Sequence, residues 1–221
     1  MGNGTYPSKI TAPQFSITWQ YPPGPPTQPV HAFPNIKIDE EGTFPVQISS
    51  INNINVEADW MYSVGDANQT TSVLDQAALT AALANTNVAI DMFVDADSSK
   101  ATSTEDAKYE VMVWLATIGA ATQPLGLDEG ARTSVILGSN TFNLYFGVNG
   151  LGQSVLTWVA ATPVTNFVAD IAPLLMQDLT SFGGPDTSHY LGYVAFGSEA
   201  LSAGSNITLS VPHLTMEVVP K

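Results

Sequence analysis

The chain has 221 residues, 20 acidic side chains against 6 Lys plus Arg, a net charge of −14 and no cysteine. So few cations exclude a protein built to bind a phosphate backbone, whose affinity rests on Lys and Arg contacts, and the absence of Cys excludes disulfides and thiolate metal sites. No apolar run approaches the roughly 20 residues needed to span a bilayer, so neither nucleic acid nor membrane is expected as a partner.

The length suits one all-β domain over residues 1–221 with a sizeable core. Abundant Ser, Thr, Asn, Gly and Pro beside only 12% charged residues is the composition of a secreted β-protein. Asn3, Asn68 and Asn206 each begin an Asn-x-Thr tripeptide and are the glycosylation candidates. Met1-Gly2-Asn3 does not start a signal peptide, and the chain is expected to be a form from which a targeting segment was removed.

Residues 1–13 read as an irregular lead-in punctuated by Gly2, Gly4, Pro7 and Pro13. Residues 14–20 form the first predicted strand, and the proline-rich run 21–26 then forbids ladder pairing. Ile54, Val56, Ala58, Trp60 and Tyr62 alternate as one face of a second strand, with Trp60 read as core. Ser72-Val73-Leu74-Asp75 has the form of a helix start, and Leu79 with Leu83 gives a short Ala-rich helix an apolar edge that covers exposed strand groups.

Further strands are predicted at 132–137 and 140–146, paired through Gly138-Ser139, and at 153–161. One main helix follows, capped by Asp170, with Pro173 in its first turn and a buried stripe of Ile171, Leu174, Leu175 and Leu179. Gly183-Gly184-Pro185 stops it, and strands near 189–196 and 206–218 close the sheets. Many short strands with few helices predict a β-sandwich of jelly-roll type.

In the strand 109–115, Tyr109, Val111, Val113 and Leu115 face one way and Glu110, Met112 and Trp114 the other. A carboxylate beside a thioether and an indole suits the floor of a groove better than a core, although a lone Glu on a strand is usually a solvated residue. Tyr109-Glu110-Val111-Met112-Val113-Trp114-Leu115, with Gly119 and Gln123-Pro124-Leu125-Gly126 after it, resembles the nucleophile strand and following loop of glycoside hydrolase family 12. Asn87-Val88-Ala89-Ile90-Asp91-Met92-Phe93 is similar to that family's Asn-Val-Ala-Tyr-Asp-Leu-Phe, and Gly197-Ser198-Glu199 to its Gly-Thr-Glu. Trp19, Tyr21 and Phe33-Pro34-Asn35 resemble its Trp-x-Trp strand and Tyr-Pro-Asn.

The resemblance implies an all-β, concanavalin A-like jelly-roll sandwich of two curved antiparallel sheets, with one main α-helix and a short helix in an insertion at 66–86. It implies a secreted, monomeric, retaining endo-acting β-1,4-glucanase on cellulose, mixed-linkage glucan or xyloglucan, without cofactor or metal. Carried over by position, Glu110 is the nucleophile, Glu199 the acid/base and Asp91 a supporting carboxylate, while Met112, Trp114 and Pro124 bind substrate. Two features depart from the family: the usual Cys-bearing start with an Asn-Asn-Leu-Trp-Gly strand is missing, and Ala200-Leu201 stands where Pro or Ala and then Phe is usual. The alternative reading is a non-hydrolytic glycan-binding protein on the same sandwich. His31, His189 and His213 are scattered without ligand spacing.

Overall fold

The computed structural model describes residues 8–66 and 74–221. In chain order the elements are β1 (Phe15–Trp19), β2 (Asn35–Lys37), β3 (Val46–Gln47), β4 (Ile51–Val64), α1 (Gln76–Ala81), β5 (Asn85–Asp95), α2 (Ser98–Ala101) and β6 (Tyr109–Ile118). They continue through β7 (Thr133–Leu137), β8 (Asn140–Val148), β9 (Ser154–Ala160), β10 (Asn166–Asp170), α3 (Ala172–Met176), β11 (Tyr190–Gly197), β12 (Ala200–Ser202) and β13 (Ile207–Pro220). A four-stranded sheet runs β1-β13-β4-β10, and a nine-stranded sheet runs β2-β11-β5-β6-β9-β8-β7 with β12 on β5 and β3 on β11.

The interior is built by alternation. Ile54, Val56, Ala58, Trp60 and Tyr62 of β4 meet Val88, Ile90, Met92 and Val94 of β5, and Val111 and Val113 of β6, in one apolar cluster between the sheets. Trp60 is core, its indole N–H donating to the Val164 carbonyl at 2.7 Å. Each large side chain removed from water in this way contributes about 1.5–3 kcal/mol. At the centre of the larger sheet, β5 is buried along almost its whole length.

Three expectations need correction. The sheets are not wholly antiparallel: β6 and β9 run parallel, Glu110 lying beside Val155 and Trp114 beside Val159, because the β7–β8 hairpin intervenes between them. The main helix is only five residues long. Its stripe is buried as expected, but the chain leaves the helix at Gln177 in an extended conformation, so Leu179 is placed by a separate turn at Thr180–Phe182. Asp170 is not the cap of the helix: the N-cap is Ile171, which makes no side-chain cap, and the Asp170 carboxylate one residue earlier accepts from Ala172 N at 2.9 Å and ties the segment to β4 by accepting from Ile54 N at 2.8 Å.

The inserted helix begins at Gln76 with Asp75 as its N-cap, the carboxylate accepting from Ala78 N at 2.9 Å, rather than at Ser72, which lies outside the described residues. Its apolar edge is Leu79 alone. Leu83 is past the helix end, in a left-handed conformation at φ 52°, and is 69% exposed.

Candidate active site

The two faces of β6 separate as the alternation requires. Tyr109, Val111, Val113 and Leu115 join the interior, while Met112 and Trp114 pack with Ala89 and Val155 on the opposite, outer face, which Glu110 shares. Register supplies the neighbours of that face. On β5, Asp91 pairs with Met112 and Phe93 with Glu110; on β11, Ala195 pairs with Asp91 and Tyr193 with Phe93. Glu199 arrives from the short link between β11 and β12, and Ala200 pairing with Thr86 turns that link back onto β5.

Glu199 is held at both ends by one buried side chain. The Asn87 amide accepts from Glu199 N at 2.8 Å through Oδ1, and its Nδ2 donates to Glu199 Oε2. Glu110 has a single polar side-chain contact among the described residues, Asn149 Nδ2 at 3.3 Å. Asn149 in turn is fixed by Gln153, which it donates to at 2.8 Å and whose own amide donates to the Ala107 carbonyl at 2.7 Å.

The three carboxyls feel one another. Burial, then the charges of Glu110 and Glu199, push Asp91 well above the usual carboxylate range, and its backbone hydrogen bond offsets little of this. Asp91 Oδ1 is buried without a hydrogen-bond partner. Glu199 is pushed up to about 7 by burial first and by the Glu110 charge second, against the Asn87 hydrogen bond. Glu110 is also raised by burial, but the Asn149 amide opposes that shift. No basic side chain is among the groups acting on the three. The arrangement can therefore present one protonated and one ionised carboxyl on the same face near neutral pH.

The other expected binding residues are Met112 and Trp114, on the same outer face, and Pro124, after β6. Met112 and Trp114 are 7% and 4% exposed, with the indole N–H directed at the Met112 sulfur at 3.3 Å. Pro124 is buried in the loop after β6, which Gly126 presses against β8: at φ 83°, a Cβ there would come within 1.9 Å of the Phe146 carbonyl oxygen. Sequence reasoning missed Asn149, although Asn149-Gly150 is a turn signal between two strands, and gave no role to Asn87 within its motif.

It also missed Tyr193, whose ring meets Phe93 edge-on at 5.5 Å and whose hydroxyl donates to Asn35 Oδ1 at 3.4 Å. Burial and the nearby Asp91 push its phenol up to about 12. The histidines lie apart, His31 stacked on Tyr21, His189 on Tyr109 and His213 beside Glu57; no described group of three or more His, Cys, Asp or Glu is arranged for a metal. Asn206 is exposed before β13, whereas Asn3 and Asn68 lie outside the described residues.

The sequence model of glycosyl hydrolase family 12 matches residues 15–219. Xyloglucan-specific endo-beta-1,4-glucanase A of Emericella nidulans is 33% identical over 172 residues, which are 78% of this chain and 61% of that protein. An inactive glycoside hydrolase of Phytophthora nicotianae is 34% identical over 125 residues, 57% of this chain and 49% of its own. The chain thus spans about three fifths or less of the length of these relatives. Among solved structures, endoglucanase 3 of Trichoderma harzianum superposes with a TM-score of 0.71 at 24% identity, covering 93% of this chain and 78% of that one. The family 12 xyloglucanase of Bacillus licheniformis gives 0.70 at 17% identity, covering 96% and 84%. With the matched region running from β1 to the end of β13 and the sandwich shared, the chain belongs to glycosyl hydrolase family 12.

Proposed function

We propose that residues 1–221 act as one secreted, monomeric domain that cleaves β-1,4-glucan chains internally, with xyloglucan or an unbranched β-glucan as substrate. The observation that carries this reading is the cluster of Glu110, Asp91 and Glu199 on one face with unequal environments, one carboxyl holding its proton to about pH 7 and another steadied as an anion by Asn149. In the first step Glu110 attacks the anomeric carbon and Glu199 gives its proton to the departing glycosidic oxygen, leaving a glycosyl ester on Glu110. In the second, Glu199 takes a proton from water, the water oxygen displaces the ester at the same carbon, and Glu110 is released as carboxylate.

Asp91, neutral beside two other acids, limits the charge on the face, and Met112 with Trp114 forms a flat apolar floor under the sugar. Pro124 acts one layer back, holding the loop beside that floor. An extracellular location fits a polymeric substrate, and no helix among the described residues is long and apolar enough to cross a membrane. The names of several relatives point to xyloglucan.

The second reading, glycan binding without hydrolysis, has one observation in its favour: a relative at 34% identity is named an inactive glycoside hydrolase. A reducing-sugar assay on xyloglucan and on unbranched β-glucan separates the two. Product that vanishes in Glu110→Ala supports hydrolysis; binding with no product in either protein leaves the second reading.

A further inference from the structure

Polar side chains cross the apolar interior at the end of β5 next to Glu199. Trp19 Nε1 donates to the Tyr62 hydroxyl at 3.1 Å, and that hydroxyl lies 2.7 Å from Ser198 Oγ. Ser198 Oγ donates to the Asn87 carbonyl at 2.5 Å, and Thr86 Oγ1 donates to the Glu199 carbonyl at 2.7 Å. Tyr62, Thr86, Asn87 and Ser198 are each 1% exposed or less. One direction of donation, from Trp19 through Tyr62 and Ser198 to Asn87, satisfies the chain, and Asn87 ends it on the Glu199 backbone and carboxyl.

Hydroxyls in a core are costly unless paired, and apolar groups of the same shape would serve stability as well. A connected buried network instead fixes one arrangement of the groups it joins. Here it links the smaller sheet, through β1 and β4, to the one candidate carboxyl that no regular strand carries.

We propose that Tyr62, acting through Ser198 and Asn87, is a remote positioning residue for Glu199, holding the acid carboxyl in its working orientation from the opposite sheet. This rests on the acid/base role given to Glu199. The charged groups facing Glu199 are Glu110 on β6 and Asp91 on β5; Tyr62 reaches it through Ser198, and its hydroxyl also lies 3.3 Å from Thr86 Oγ1, which donates to the Glu199 carbonyl. Tyr62 touches neither the outer face nor substrate, and its ring is retained in Tyr62→Phe.

The test compares Tyr62→Phe, Asn87→Ala and the unaltered protein on a β-glucan and on an aryl glucoside whose leaving group needs no protonation. Tyr62→Phe is expected to lower kcat on the glucan about fivefold, the kinetic equivalent of one neutral hydrogen bond, with KM within about twofold and little loss on the aryl substrate. Asn87→Ala lowers kcat further and moves the alkaline limb of the pH profile upward, because it removes the hydrogen bond that favours the Glu199 anion. Equal losses on both substrates, or an unmoved alkaline limb, overturn the proposal. Carboxyl titration of Glu199 by NMR reads the same clamp without turnover: an upward shift in Asn87→Ala supports it and an unchanged titration overturns it, even if the unaltered protein proves inactive.

Discussion

Glu110 and Glu199 reach the same face from opposite kinds of backbone. Glu110 sits inside a ladder, with β5 on one side and β9 on the other, so its main chain is fixed twice over, and among the described residues its side chain has one hydrogen-bond partner, Asn149. Glu199 stands in a link between two strands and depends on Asn87 for both its backbone and its carboxyl. The difference suits the roles proposed for them, Glu110 as nucleophile and Glu199 as acid. A nucleophile has to stand in line with one carbon while remaining charged, whereas an acid has to keep its proton, which burial and the Glu110 charge secure by raising Glu199 to about 7.

The comparison is broken most severely by Glu110→Ala, which is expected to abolish turnover on every substrate, a fall of roughly 10⁴-fold or more in kcat, whatever the leaving group. Glu199→Gln, measured on the glucan, falls roughly 10²–10⁴-fold, yet loses far less in the first step on an aryl glucoside that departs without a proton. If both variants respond alike to the leaving group, the two carboxyls do not have separate roles.

Next in size is the response to pH. Activity is expected to fall as pH rises through about 7, where Glu199 loses its proton. The same shift predicts a stability trend. The folded value of Glu199 lies above its ordinary value of 4.5, so the stabilising contribution of its bound proton is complete below 4.5 and is lost as pH rises through about 7. Thermal melts between those limits should show Tm declining with pH, and less steeply in Glu199→Gln; identical slopes would contradict the shift.

Asn149→Ala sharpens the other half. It removes the hydrogen bond that lowers Glu110, so the acid limb of the kcat/KM profile moves up while kcat at the optimum drops only about fivefold. The smallest expected change is Trp114→Leu. Isothermal titration of a glucan oligosaccharide into an inactive background should weaken by a factor of roughly 2–10, the worth of one aromatic contact, since only 4% of that ring is exposed.

Much of this was legible in the residues because alternation is a local code. The split of β6 into an interior face and a face bearing Glu110, Met112 and Trp114 follows from period two alone, and so does the burial of Trp60. The β7–β8 hairpin announces itself by Gly138, which turns at φ 63°. The three carboxyls were indicated by resemblance, since nothing between residues 91 and 199 says that they share a face.

What stayed hidden is non-local or short. β2, β3 and β12 have three, two and three residues, too few for a period to show. The parallel pairing of β6 with β9 depends on where an entire hairpin lies. The brevity of α3 depends on an extended conformation at Gln177 that propensity does not mark. Asn87 and Asn149 escaped for the same reason: a polar residue reads as surface or turn until its partner, Glu199 or Glu110, is found more than 30 positions away.

The most direct test of the Glu110/Glu199 pair is the anomeric configuration of the newly released reducing end, followed by ¹H NMR during the first minutes of glucan cleavage. Two successive displacements at one carbon predict that the β-anomer appears first and the α-anomer only as mutarotation proceeds. An α-anomer as the first product would mean that water attacks directly, with no ester on Glu110, and would contradict the roles assigned to both glutamates.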